Sequence, residues 1–380
     1  MKVCFISLKA YPLFNTGVNA MHGGAEVQMS ILARHLSENE QFDVNIITAD
    51  YHQPSLEKHN NITIWRSFNF KLFTVFKIFK FLYIFNKVNA DVYIQRTLSF
   101  YSYFLAAYCK LKKKKFVYMV AHDNELNGKD ELHNFPFGKW LVKMLFKNAS
   151  AVIVQNQFQY ESVIQKFQNK SLFILKKIVE LPEIQEDNDN KTIYDFVWLA
   201  RAEKWKQPEL FLKLADLNPG KRFLMICPCL SRSFSLKNYK NLKVEAGKRT
   251  NLTFIDHLPY GEVFAELKNC KVYCSTSSGE GDLPMSILEA AAAGLPIVLL
   301  SINNYNISSD DSIGIYCNND IETMNTWLSK LIADEVLYRQ YRSRALDYIN
   351  KYHNKDIIIE QFVDILEKVD DKKRQKIQKE

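Results

Sequence analysis

The sequence predicts an α/β protein made of two doubly wound, parallel-sheet domains with a cleft between them. Three observations carry that expectation. At 380 residues the chain is too long for one ordinary core and suits two of average size. Short apolar runs alternate with segments of helical period, as in parallel strands covered by helices. Residues 182–191, Pro-Glu-Ile-Gln-Glu-Asp-Asn-Asp-Asn-Lys, interrupt the alternation with a polar stretch, after which it restarts.

The elements follow in order. Val3–Ser7 is an apolar strand, followed by an irregular stretch and a helix over Ala25–Leu36. Further strands are expected at Val44–Thr48, Val92–Gln95, Phe116–Ala121 and Ala151–Gln155, with helical periodicity between them. Beyond the break, strands are expected at Asp195–Ala200, Arg222–Cys227, Leu252–Ile255, Val272–Ser275 and Pro296–Leu300, then helix from about Ile321 onward. The division is an N-terminal domain over 1–181, a linker over 182–191, a C-terminal domain over 192–352 and a helical tail over 353–380.

Composition narrows the class. The chain is 47% hydrophobic and 24% charged, which excludes a disordered or fibrous protein. Its net charge of +8 is unevenly placed: residues 1–182 carry 23 Lys/Arg against 13 Asp/Glu, and residues 183–380 carry 27 against 29. Between 65 and 120 there are 11 basic side chains and one acid, Asp91, which points to an anionic partner surface. The seven cysteines are scattered and Met1-Lys2 leads straight into a strand, so no secretion signal or disulfide framework is expected and the protein reads as cytoplasmic. Cys227, Cys229, Cys270 and Cys274 have spacings unlike the usual zinc pattern and read as core thiols. Asp187-Asn-Asp189 has the form of a metal–diphosphate pair, but in a linker it reads as solvated acid, and no metal is expected.

The most informative stretch is Ser275-Thr-Ser-Ser-Gly-Glu-Gly-Asp-Leu-Pro-Met-Ser-Ile-Leu-Glu-Ala-Ala-Ala-Ala-Gly-Leu-Pro-Ile-Val. A strand ends near Ser275, and a helix opens at Pro284–Ser286. Its free N–H groups and dipole suit a diphosphate. Two carboxylates beside that anion site, Glu280 and Glu289, suit sugar hydroxyls on either side of it. The stretch resembles the retaining glycosyltransferases of family 4, whose Glu-x7-Glu motif marks a nucleotide-sugar site. Eight residues separate Glu280 from Glu289, so Gly281 stands at the strict spacing. Val197-Trp-Leu-Ala-Arg-Ala-Glu-Lys-Trp-Lys-Gln-Pro supports the resemblance: Arg201 and Lys206 match the family's Gly-Arg-x4-Lys-Gly, with Ala200 and Gln207 in place of the glycines. Leu252–Tyr260 resembles the family's strand and turn beside the nucleotide base.

The resemblance implies the GT-B fold, two Rossmann-like domains with an interdomain cleft. It further implies that Arg201 and Lys206 neutralise the diphosphate, Glu289 holds the ribose and Glu280 the sugar, while Gly281, Asp282, Leu283, Pro284, Met285 and Ser286 line the donor. In the N-terminal half, Gly23 and Gly24 open a helix where a ligand approaches the backbone closely. His122 ends a strand, where open α/β sheets bind ligands; by the resemblance it orients sugar and acceptor hydroxyls. Asp123 binds acceptor, caps the next turn or holds His122.

Residues 68–87 are dense in Phe but carry Lys71, Lys77, Lys80 and Lys87, too many for a membrane span. They form either a buried helix with one basic edge or an interfacial helix on an anionic membrane, and Lys112–Lys115 strengthens the second reading. No nucleic-acid-binding motif is present, so nucleic acid is not expected as a partner. The function expected is a metal-independent, cofactor-free retaining transferase. It would move sugar from a UDP- or GDP-sugar to a glycan or lipid-linked acceptor, in surface polysaccharide synthesis. The alternatives are a GT-B-fold nucleotide-sugar epimerase and a non-catalytic relative that binds donor or membrane.

Overall fold

The computed structural model describes residues 1–18, 20, 22–128, 137–167, 171–180, 192–229, 234–278, 282–301 and 312–377. The expected linker, with Asp187 and Asp189, lies outside them. The chain divides into two compact units: Met1–Ile178 joined by the helix that starts at Lys355, and Val179–Asn354.

The first unit is built on β1 (Lys2–Ile6), β2 (Asp43–Thr48), β3 (Leu56–His59), β4 (Ile62–Arg66), β5 (Val92–Arg96), β6 (Lys115–Met119), β7 (Ala151–Val154) and β8 (Leu172–Ile174). They lie in the order β3-β4-β2-β1-β5-β6-β7-β8. All neighbours are parallel except β3, which pairs antiparallel with β4. Val3 sits opposite Val44 on one side and Val92 on the other. β5 is buried along its whole length, as expected of a parallel strand covered on both faces. The helices are α1 (Gly24–Leu36), α2 (Thr74–Val88), α3 (Phe100–Leu111), α4 (Asn124–Asn127), α5 (Gly138–Asn148) and α6 (Gln157–Phe167).

Much of the chain's aromatic content fills one core beneath α2, α3 and α5. Phe68, Phe81, Phe85, Tyr93, Phe116, Tyr118 and Phe146 pack there, with ring centroids 5.5 Å apart for Phe68–Phe81 and 4.4 Å for Phe81–Phe85. Such pairs add about 1 kcal/mol each beyond their buried area.

The second unit has β9 (Tyr194–Leu199), β10 (Phe223–Ile226), β11 (Leu252–Ile255), β12 (Cys270–Ser275), β13 (Ile297–Leu299) and β14 (Ile315–Tyr316), all parallel, in the order β11-β10-β9-β12-β13-β14. Its helices are α7 (Pro208–Leu217), α8 (Leu236–Gly247), α9 (Tyr260–Lys268), α10 (Met285–Ala292), α11 (Ile321–Ala333) and α12 (Glu335–Tyr352). Alternation along β9 divides the core: Phe196 and Trp198 meet α7, α8 and α11, while Val197 and Leu199 meet α9, α10 and α12. Cys227 and Cys274 belong to the first of these clusters and Cys270 to the second; burial pushes all three thiols up.

The structure adds elements that the sequence does not announce. β3, β8 and β14 are short strands at the sheet edges, only partly buried, so they lack the continuous apolar run that marks the central strands. β3 and β4 form a hairpin turned by Asn60-Asn61, with Asn60 at φ 50°.

The C-terminal helix α13 (Lys355–Ile377) falls within the helical tail expected over 353–380. It packs in the first unit, against α1. Ile358, Phe362, Ile365, Leu366 and Val369 form a buried stripe at helical spacing, and the Phe362 ring lies 6.2 Å from that of Phe5.

Candidate active site

In the second sheet, β9 and β12 are neighbours whose connections run to opposite sides, β9 towards β10 and β12 towards β13. The carboxyl ends of such a strand pair leave a crevice, the usual ligand position in open α/β sheets. Both sequence motifs fall there. Arg201 follows β9, and Lys206 closes a 3-10 turn over Lys204–Lys206; Asp282 to Ser286 and Glu289 follow β12.

The loop after β9 is held by its own polar groups. Arg201 Nη2 lies 3.2 Å from Glu203 Oε1, with the Arg201 side chain 48% exposed, so the rest of the guanidinium fork faces outward. Glu203 Oε2 accepts from Trp205 Nε1–H at 2.6 Å. The Lys206 ammonium stands 4.1 Å from the centre of the Trp205 ring, and the residue is 5% exposed. Gln207 takes a left-handed conformation (φ 49°), and Pro208 then opens α7. That φ explains why glycine would suit this position, and Gln207 Oε1 is buried without a hydrogen-bond partner among the described residues.

Side chains rivet this loop to the one after β12. Thr276 Oγ1 accepts from Trp198 Nε1–H at 2.9 Å, and its single proton is shared between the carbonyls of Lys206 (2.8 Å) and Gln207 (3.0 Å). The Ser278 N–H donates to Trp205 O at 2.8 Å. Tyr273 makes a third tie: its hydroxyl donates to Leu199 O at 3.0 Å and lies 3.0 Å from Ser286 Oγ in the first turn of α10. The backbone of the loop that carries the two cations is thereby tied to that helix opening.

α10 begins at Met285, with Pro284 extended at the N-cap (φ −65°, ψ 156°). It ends in a Schellman motif: Gly294 at φ 77° donates to Ala291 O, and Leu295 donates to Ala290 O. Glu289 is partly buried, and burial alone raises its carboxyl to about 7. A desolvated carboxyl whose shift involves no protein charge or hydrogen bond is suited to ligand hydroxyl donors. Glu280 and Gly281 lie outside the described residues. Beside β11, Asp256 accepts from the Tyr239 hydroxyl at 2.7 Å and from the Lys243 ammonium, which hold its carboxyl below the ordinary range.

The first unit has a second polar centre at the ends of β5, β6 and β7. Arg96 Nη2 donates to Gln155 Oε1 at 2.9 Å, and Gln155 Nε2 donates to Val120 O (2.8 Å) and Ala121 O (3.0 Å). Gln159 accepts from the Gln155 N–H at 2.9 Å and donates to Asp123 Oδ1 at 2.8 Å. His122 Nδ1 accepts from the Asn124 N–H at 3.1 Å, which puts the proton of the neutral ring on Nε2. Tyr118 donates to buried Glu125 at 2.7 Å. Asp123 makes no side-chain capping bond to α4. Gly23 is the extended N-cap of α1, and its N–H donates to Glu26 Oε2 at 2.9 Å; Gly24 opens the helix.

Glu203, Trp205, Tyr273 and Thr276 around the cations, and Arg96, Gln155 and Gln159 around His122, stand at none of the defining positions of the sequence motifs. For Glu203, Thr276 and Gln155, a polar side chain just past a strand end was the available signal.

Residues 180–347 match the family model described as Glycosyl transferases group 1. This segment is a glycosyl transferases group 1 domain. The switch-point site lies wholly inside the group 1 domain. An uncharacterized glycosyltransferase of Methanocaldococcus jannaschii is 25% identical to the chain, the match covering 91% of the chain and 95% of that protein. Sucrose-phosphate synthase of Thermosynechococcus elongatus has a similar structure, with a TM-score of 0.77 at 14% identity, over 97% of this chain and 99% of that one. HepE of Anabaena, solved in complex with UDP and glucose, gives a TM-score of 0.74 at 14% identity, over 97% and 100%. These likenesses establish the GT-B fold, of which the group 1 domain is the C-terminal part.

Proposed function

We propose that the chain is a retaining glycosyltransferase that moves a sugar from a nucleotide-diphosphate sugar, UDP- or GDP-linked, to a glycan or lipid-linked acceptor. One observation carries the reading. A single switch point gathers two cations, a helix N-terminus and a carboxyl with no hydrogen bond or ion pair among the described residues. Arg201 and Lys206 neutralise the departing diphosphate with the N–H groups at the start of α10, in place of a metal. Asp282, Leu283 and Met285 line that opening, Glu289 accepts from the ribose hydroxyls, and Glu280 and Gly281 complete the sugar side.

His122 Nε2–H donates to the sugar, and Asp123 turns towards the acceptor. The acceptor hydroxyl attacks the anomeric carbon on the face from which the diphosphate leaves. A diphosphate oxygen takes its proton, so the configuration is retained and no protein nucleophile is needed.

The test is release of free nucleoside diphosphate from UDP- and GDP-sugars, with and without acceptor. Transfer is expected only with both substrates, to persist in EDTA, and to give a product of unchanged anomeric configuration by NMR. Full activity in both Arg201→Ala and Lys206→Ala would place the phosphate elsewhere. Interconversion of donor sugars without an acceptor would identify an epimerase instead.

The reading extends to surface polysaccharide assembly at the inner face of a membrane. Among the described residues no helix is long and apolar enough to cross one. On α2, Phe81, Ile84, Phe85 and Val88 face the core, while Phe76 (61% exposed), Phe79 (67%) and Tyr83 (60%) face out, preceded by Phe73 (82%). So contiguous an aromatic face supports partial insertion into lipid, with Lys80, Lys87 and the lysines at 112–115 meeting phosphate.

A further inference from the structure

Beside the exposed face of α2 the surface folds into a groove of about 600 Å³ between that helix and the β3–β4 hairpin. Its lining includes three cations, Arg66, Lys80 and Lys87, two aromatics, Trp65 and Tyr83, and one acid, Asp50. Arg66 Nη1 is 3.8 Å from Asp50 Oδ1, a loose pair with more than a third of the Arg66 side chain exposed. The Lys87 ammonium lies 5.1 Å from the centre of the Tyr83 ring. Neither Lys80 nor Lys87 meets a carboxylate among the described residues. The groove therefore holds surplus positive charge that the protein does not neutralise.

We propose that this groove binds the phosphate headgroup of an anionic phospholipid; the proposal rests on the membrane reading of α2 and makes it specific. Lys80 and Lys87 stand roughly 40–60° round the helix from Tyr83, so the cations lie beside the aromatic ridge. When Phe76 and Phe79 enter the acyl layer, the headgroup level falls at the groove mouth, where lysine stems reach up and rings lie flat. Arg66 supplies a planar fork for phosphate oxygens and Trp65 an amphipathic wall. A second copy of the chain is a poorer occupant, because a two-fold contact through α2 would set lysine edges against one another.

The experiment is vesicle co-sedimentation at physiological ionic strength. The probes are phosphatidylcholine vesicles and phosphatidylcholine vesicles containing phosphatidylglycerol. The wild-type chain is expected to favour the anionic vesicles. A Lys80→Glu/Lys87→Glu variant should lose that preference, with at least about a tenfold fall in partitioning. A Lys237→Glu/Lys240→Glu variant, with the same charge change on exposed residues of α8 in the second unit, should lose far less. Phe76→Ser/Phe79→Ser should weaken binding to both compositions.

Equal losses in the two lysine variants would overturn the groove and leave the membrane reading standing. No binding to either vesicle would overturn both. Tight binding of glycerol phosphate without vesicles would assign the groove to a soluble ligand. A lipid-free dimer dissolved by Phe76→Ser/Phe79→Ser would assign the face to a second copy. Thermal melts of each variant confirm that the fold is retained.

Discussion

The two polar centres sit at equivalent places, the carboxyl ends of central parallel strands, and are built differently. In the group 1 domain, one-residue ties such as Thr276 and Tyr273 clamp two short loops together, leaving Arg201 half exposed and Glu289 without a partner among the described residues. In the first unit, a relay of amides runs from Arg96 through Gln155 and Gln159 to Asp123. The difference is one of stiffness against reach. Backbone-anchored rivets fix charges for a ligand of fixed geometry, whereas linked amides carry orientation over a longer path.

The largest effect that could break this comparison is on the cations. Arg201→Ala and Lys206→Ala should each lower turnover by about 10²–10³, with little loss of thermal stability for Arg201→Ala. Steady-state kinetics with a melting curve separates the two effects.

Next come the connectors. Thr276→Val leaves Trp198 Nε1 and two carbonyls without their hydroxyl, and should cost about 1–3 kcal/mol in denaturant titration while weakening donor binding. Gln159→Leu should cost a similar amount but raise the acceptor KM and leave donor affinity alone. If both variants disturbed donor binding equally, the proposed split of labour would fail.

A third prediction is pH dependence. Burial raises Glu289 to about 7, so without ligand it is protonated over much of the range where an ordinary carboxyl is ionised. Stability it contributes is present at acid pH and is lost as pH rises from the ordinary value to about 7. Binding of ligand hydroxyls needs the ionised form and runs the other way. Affinity for a nucleotide-sugar, whose diphosphate does not titrate there, should rise by about tenfold between roughly pH 6 and 8. Calorimetry should show that slope in wild type and its absence in Glu289→Gln.

The smallest effect concerns Gln207. Replacing it by glycine removes a left-handed side chain and a buried carbonyl without a partner, and should stabilise the domain by about 1 kcal/mol. Denaturant titration against wild type would register the gain, and a loss would mean that Gln207 makes a contact worth more than its strain.

The sequence made some of this legible and hid the rest for definable reasons. Arg201, Lys206 and the Pro284–Glu289 helix opening stood out because phosphate chemistry demands those residue types close to strand ends. The desolvation of Glu289 did not, since burial is a property of three-dimensional surroundings. Thr276 was invisible because a threonine after a strand is ordinary until Trp198 and the Lys206 carbonyl are brought to it. The outward aromatics of α2 were visible as composition, but Phe81 and Phe85 read no differently from Phe76 and Phe79 until the core chose a face. The groove needed the β3–β4 hairpin, whose edge strand β3 carries charged, exposed residues in place of an apolar run.

The return of α13 to the first unit has a consequence for biosynthesis. A ribosome delivers Val179–Asn354 before it delivers the helix whose Phe362 and Leu366 finish the first core. The group 1 domain can thus close on itself while its predecessor still lacks a wall. Until α13 emerges, α1 and the sheet beneath it present an uncovered apolar surface. In the nascent chain, chaperones would therefore find their binding site on the part made first.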